Sequence, residues 1–206
     1  MKELERRSYQ CEVRAEGEDS IITGRPIVYD SWTDIGWYDE VIERGALIGT
    51  DLKDVRFLVN HDLSRIPLAR SRRNNANSTM QLVVDDQGLS IRVKLDTENN
   101  SEARALYSAV QRGDITGMSF AFSVDDEEWE DLESDHPKRH IRKISNVVEV
   151  SAVTFPAYDS TEIDARSKDA LDNARSAVDT ARQQREQAVD TGLELAKAKF
   201  EFLSRL

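Results

Sequence analysis

Three residues in this chain have types that can do chemistry and sit where those types are awkward. His61 closes the apolar run Phe57-Leu58-Val59. It is either a strand-end histidine satisfied by local hydrogen bonds or a proton acceptor poised near neutral pH. Ser119 stands in Gly117-Met118-Ser119-Phe120, on a segment that follows a helical pattern. Most strand serines are filler, and this is not the Gly-x-Ser-x-Gly elbow, so the usual hydrolase argument does not transfer. Glu149 lies within Val147-Val148-Glu149-Val150-Ser151-Ala152-Val153. Period two puts Val147, Glu149, Ser151 and Val153 on one face. A carboxylate among valines is costly on a central strand unless it is paired, whereas on an edge strand it simply meets water. The three types together match a known requirement. A serine hydroxyl needs a histidine to take its proton, and a carboxylate fixes the imidazole tautomer and stabilises its cation. The order His61, Ser119, Glu149 is not that of chymotrypsin, subtilisin or the α/β-hydrolases, but such sites are defined by geometry and not by order.

Other candidates carry less. His136 and His140 have the i, i+4 spacing of a helical metal pair, but Pro137 between them argues against a helix interior. The glycines form no phosphate-cradling motif. Neither a cofactor nor a metal is expected. Arg65 and Arg70 follow His61 closely and read either as assisting charges or as ordinary surface charges.

Composition narrows the classes. The 206 residues carry a formal net charge of −11, which argues against a nucleic-acid-binding surface. No run approaches the roughly 18 apolar residues of a membrane span, and no signal-peptide core opens the chain. Cys11 is the only cysteine, so an intramolecular disulfide is impossible and a cysteine zinc site is not expected. A soluble protein of a reducing cytoplasm fits best.

These residues need elements to position them. Ile21–Tyr29 reads as a strand, and Trp32 through Ile42 as a turn and a second strand. Asp54–Asn60 is a short run expected of a strand buried on both faces. Gln81–Val84 and Leu89–Leu95 flank the hairpin signal Asp85-Asp86-Gln87-Gly88. Ser101 is a plausible N-cap of a helix carrying Ala103, Leu106, Tyr107 and Val110, with Gly113 as its stop. Strand character returns from Ile115 to Val124, with Met118, Phe120, Phe122 and Val124 on one face. Asp125–Asp135 holds eight carboxylates in eleven residues and reads as a solvated, charged excursion before a long strand from Ile141 to Phe155.

Near residue 160 the composition changes. All four prolines and all three tryptophans lie before it. A domain over residues 1–160 and a helical tail over 161–206 are predicted. The tail has one apolar stripe of Ala170, Ala174, Ala177, Ala181 and Ala188, and a second of Val189, Leu193, Ala196, Phe200 and Leu203. The phase break between them suggests a bend or two short helices. An alanine stripe buries little area, so the tail needs a partner surface.

Five ordered blocks carry a resemblance. They are Gly24-Arg25-Pro26-Ile27-Val28-Tyr29 ahead of Glu40-Val41-Ile42-Glu43-Arg44-Gly45-Ala46; Asn60-His61-Asp62 ahead of Pro67-Leu68-Ala69-Arg70; Asp86-Gln87-Gly88-Leu89; Gly113-Asp114-Ile115-Thr116-Gly117-Met118-Ser119-Phe120-Ala121-Phe122; and Glu149-Val150-Ser151-Ala152-Val153-Thr154-Phe155-Pro156-Ala157-Tyr158. Together they resemble the caudovirus prohead proteases, serine peptidases that mature the capsids of tailed phages and prophages. Leu47 and Ala69 depart from the phenylalanine and glycine common there.

The resemblance implies a mainly β fold with peripheral helices (α+β), a closed and mostly antiparallel β-barrel of herpesvirus-protease type. It implies Ser119 as nucleophile and His61 as general base. Glu149 falls where the herpesvirus enzymes use a second histidine. It further implies cleavage of scaffolding segments from the major capsid protein, self-cleavage, and action in the host cytoplasm inside the assembling prohead, with no nucleic-acid or membrane partner. Analogy with the herpesvirus enzymes allows a homodimer. The tail is expected to pair with the capsid protein's scaffold segment. Two rivals remain: a non-catalytic assembly or scaffolding factor on the same barrel, and an unrelated β-rich binding module.

Overall fold

The computed structural model describes residues 4–10, 13–16, 19–154, 168–185, 187–188 and 191. In chain order the elements are β1 (Glu5–Gln10), β2 (Arg14–Glu16), β3 (Ile21–Val28), β4 (Thr33–Asp34), β5 (Asp39–Ile42), β6 (Asp54–Val59), β7 (Ala69–Arg72), β8 (Met80–Asp85), β9 (Gly88–Lys94), α1 (Ser101–Arg112), β10 (Gly117–Glu130) and β11 (Lys138–Val153). A second helix covers residues 168–185.

Local chemistry explains most of these boundaries. On β9, Leu89, Ile91 and Val93 are buried while Arg92 and Lys94 are exposed, as period two requires. The β8–β9 turn closes on Asp85, whose Oδ1 accepts from the backbone N–H groups of Gln87 (2.8 Å) and Gly88 (3.2 Å). Gly88 has φ +137°, and a Cβ there would lie 2.1 Å from the Ile27 carbonyl oxygen, so β3 passes too close for any side chain. Helix α1 starts one residue earlier than the serine suggests. Asn100 is the cap, its side chain accepting from the N–H groups of Glu102 (2.9 Å) and Ala103 (3.2 Å). Gly113 ends the helix in the left-handed conformation. The buried face is Ala103, Leu106 and Val110, spaced by three and four.

The fold is mainly β with helices, as expected. The pairings form two sheets. The smaller runs β2-β3-β9-β8 and is antiparallel throughout. The larger runs β1-β10-β11-β5-β4, with β6 also on β11 and β7 on β6. Strands β5 and β6 lie parallel to successive parts of β11. Among the described residues no ladder closes either sheet into a barrel. The sheets meet instead through one core, in which Ile22, Ile27, Leu89 and Ile91 of the smaller sheet join Phe57, Met118, Phe120 and Val150 of the larger. Each such side chain contributes about 1.5–3 kcal/mol on burial.

The acidic run is not an open excursion. Strand β10 continues through it to Glu130 and returns as β11, with Asp126 opposite Lys143 and Glu128 opposite His140. Lys143 meets Asp125 at 2.8 Å, and Arg142 meets Glu128. The basic stretch that follows the run supplies the partners, so cross-strand attraction extends a hairpin where repulsion alone would favour a loop. The second helix docks beside this hairpin. Leu171 is buried, and Arg175 donates to the carbonyls of Leu132 (3.0 Å) and Ser134 (2.9 Å). Ala177 and Ala181 of the first predicted stripe are exposed. The second stripe lies outside the described residues.

Strand β1 is held by buried charge. Arg7 donates to Glu40 through Nε (2.6 Å) and Nη2 (2.7 Å), and to Glu5 (2.8 Å). Arg139 of β11 donates to both oxygens of Glu5 (2.6 and 2.8 Å) and to Glu40 (2.9 Å). Burial by itself would raise the Glu5 carboxyl. The Arg139 hydrogen bond and the charges of Arg7 and Arg139 outweigh it and lower the pKa from 4.5 to about 2. A carboxyl depressed in the folded state stabilises above its unfolded value and loses that contribution as pH falls through the folded one. Thermal unfolding of wild type and Glu5→Gln is therefore expected to differ most near pH 7. The gap should narrow from about pH 4.5 downward; a gap that stays constant to pH 2.5 would contradict this.

Candidate active site

Strand β6 points its C-terminal end along β11, with Leu58 beside Ser151 and Val59 beside Ala152. There the chain turns sharply. Asn60 (φ 50°) and His61 (φ 58°) are both left-handed, a conformation that costs a non-glycine residue about 1–2 kcal/mol. Hydrogen bonds offset that cost. Asn60 N–H donates to the Ala152 carbonyl (3.0 Å), and Asn60 Oδ1 accepts from Thr154 N–H (3.0 Å). The His61 N–H donates to Ser151 Oγ (3.2 Å).

The turn brings the His61 ring to β11. Its Nδ1 contacts Glu149 Oε1, while Glu149 Oε2 accepts from Ser151 Oγ (2.6 Å). The Glu149 side chain is 2% exposed and that of His61 15%. This answers the question left by the valine-rich strand, because Glu149 is inside and paired. A carboxylate can only accept, so Nδ1 carries a proton, and in the neutral form of the ring Nε2 is the nitrogen with the free lone pair. That Nε2 atom is buried and has no hydrogen-bond partner among the described residues.

Ser119 is on β10, directly across from Ser151 and flanked on its other side by Ser8 of β1. The side chain is fully buried. Its hydroxyl donates to the backbone carbonyl of Arg7 (2.8 Å). The hydrogen bonds among the described residues include none between Ser119 and His61. Thus His61 and Glu149 meet, and Ser119 stands one strand away with its hydroxyl turned to β1.

Other sequence candidates resolve into ordinary contacts. Arg65 pairs with Glu102 (2.5 Å) and Asp62 (3.5 Å), and Arg70 pairs with Asp54 (2.6 Å). His136 and His140 do not come together as a pair. The ring of His136 lies 3.2 Å from Asp39, and that of His140 lies 2.9 Å from Glu43. Sequence reasoning placed Ser151 on the Glu149 face but gave it no role. The only local signal was a polar residue two positions on, on the same face. Nothing local points to the Arg7 carbonyl, which lies 112 positions earlier in the chain. A cavity of about 480 Å³, lined by Leu58, Asn60, Ile66, Leu68, Leu106 and Ile115 among others, adjoins the His61 turn.

A histidine oriented by a buried carboxylate, one strand from a buried serine on a β scaffold, has the components of serine peptidase chemistry. Comparison with known proteins agrees with that class. The family model for the caudovirus prohead serine proteases matches residues 4–175, and the chain belongs to that family. It is 27% identical over 164 residues to the prohead protease of Enterobacteria phage HK97, which covers 78% of this chain and 66% of the phage protein. The chain thus spans just under two thirds of that relative's length. No solved structure matches it.

Proposed function

We propose that this chain is a serine endopeptidase that matures proheads by cutting scaffolding segments from the major capsid protein, and then cuts itself. Ser119 is the nucleophile, His61 the general base and Glu149 the residue that orients the imidazole. The observation that carries the reading is the His61 ring, whose Nδ1 side is bound to a buried carboxylate and whose Nε2 has no partner among the described residues. In the reaction the Ser119 hydroxyl leaves the Arg7 carbonyl and turns to His61. Its proton passes to Nε2 as Oγ attacks the scissile carbonyl. The imidazolium, stabilised by Glu149, then protonates the leaving amine, and a water deacylates the enzyme by the same route. The cavity beside the His61 turn offers an apolar surface to a substrate side chain.

The same reading includes a protease domain over residues 1–160, a homodimer by analogy, and action in the host cytoplasm within the assembling shell. It assigns the tail, 161–206, to recruitment through the capsid scaffold segment. The exposed Ala177 and Ala181 support that role. Deleting residues 165–206 is expected to lower incorporation into proheads while leaving peptide cleavage intact; incorporation at the wild-type level would reject it.

One observation favours a second reading, a non-catalytic assembly factor: Ser119 is fully buried and bonded away from His61. Intact-mass spectrometry of wild type and Ser119→Ala, each co-expressed with the major capsid protein, separates the two. Discrete truncations in wild type alone support the protease. Identical masses from folded proteins and assembled shells support the assembly factor.

A further inference from the structure

We infer that Ser151 is a positioning residue that locks Glu149 and His61 into one arrangement; this rests on the protease reading above. The hydroxyl is fully buried and both of its capacities are used. Its O–H donates to Glu149 Oε2 (2.6 Å), and its oxygen accepts from the His61 backbone N–H (3.2 Å). One small group therefore ties the carboxylate to the backbone of the base.

Each tie answers a specific weakness. The terminal torsion of a glutamate is broad, so a lone contact from Nδ1 would leave the carboxylate plane free to turn. Holding the second oxygen on Ser151 fixes that plane and keeps the first aimed at Nδ1. The second tie steadies a left-handed residue whose N–H has left the β6 ladder. Removing the hydroxyl would leave Oε2 buried without a donor, and such groups find another partner or move. An alanine at 151 would fill nearly the same space, so packing alone gives no reason for a serine at this position. The residue also faces Ser119 across the β10–β11 ladder, so whatever shifts it shifts the wall beside the nucleophile.

Two measurements test the inference on the full chain. Histidine side-chain nitrogen NMR, at a pH where the ring is neutral, is expected to show a single Nδ1–H tautomer for His61. Ser151→Ala should convert it to a tautomer mixture, and Ser151→Thr, which keeps a hydroxyl, should restore it. An unchanged spectrum in a folded Ser151→Ala protein overturns the inference, whether or not the chain cleaves anything. In kinetics, Ser151→Ala is expected to lower kcat by about 10–100-fold with little change in KM, by analogy with the carboxylates and hydroxyls that orient metal-binding histidines. In a Glu149→Ala background the same substitution should change kcat less than about twofold, since residues acting through one another are not additive. An equal drop in both backgrounds would assign Ser151 a structural role only. Loss of cleavage in Ser119→Ala, run alongside, tests the protease reading separately.

Discussion

Ser119→Ala and His61→Ala are each expected to lower the rate of capsid-precursor cleavage by about 10⁴-fold or more, and the double variant by no more than either single one. In the proposed mechanism the nucleophile and its base act as a unit, so removing either would remove the shared step. What remains after such a loss comes from binding and from stabilisation of the tetrahedral intermediate. Glu149→Ala should cost less, by about one to two powers of ten, because it orients and stabilises the imidazole without bonding to the substrate. The resting contact between Ser119 and the Arg7 carbonyl adds a particular point. Its donor is a neutral hydroxyl and its net worth is about 0.5–1.5 kcal/mol, which is small beside the barrier that the His61–Glu149 pair would lower. On the protease reading a contact of that size would not prevent attack. Timed intact-mass spectra of the precursor give the rates of wild type and of all four variants. Wild-type cleavage by Ser119→Ala would remove Ser119 as nucleophile, and additive losses in the double variant would separate the two residues mechanistically.

Glu40→Ala is expected to be strongly destabilising, by about 3–5 kcal/mol. Glu40 is 0% exposed and receives hydrogen bonds from both Arg7 and Arg139, themselves 3% and 2% exposed. Without it, two buried guanidinium groups share Glu5 and the less buried Glu127. The cost arises from stranded positive charge and not from a lost favourable pair, because a buried ion pair roughly balances its own desolvation. Total stabilities are about 5–15 kcal/mol, so this is a large fraction. For a chain of this size the melting temperature should fall by about 6–20 °C, measurable by circular dichroism. A fall under about 2 °C would show that the cluster is wetter or looser than described. Because Arg7 carries the carbonyl that accepts from Ser119, the cluster also fixes the strand against which the Ser119 hydroxyl rests.

The legible parts were those in which a residue's neighbours in sequence are its neighbours in space. Alternation on β9, the Asp85–Gly88 turn, the stripe of α1 and its Gly113 stop are local, and they stand as read. The cap moved from Ser101 to Asn100 because both are good capping residues and only backbone angles choose between them. The awkwardness of Glu149 was also legible, since a carboxylate among valines demands a partner wherever it is buried.

Sequence by itself determined which residues could do chemistry and which strands and helix carry them, through periodicity and turn chemistry. Tertiary structure alone decided the pairing. It set β6 parallel to β11, which brings His61 to Glu149 across 88 positions of chain. It placed Ser151 opposite Ser119, turned the Ser119 hydroxyl to β1, and joined Arg7 to Glu40 inside the molecule. It also made a ladder of an acidic run. The reason is physical: a strand's own pattern shows which face is buried, but its partner and register depend on the fit and charge of segments far away in the chain.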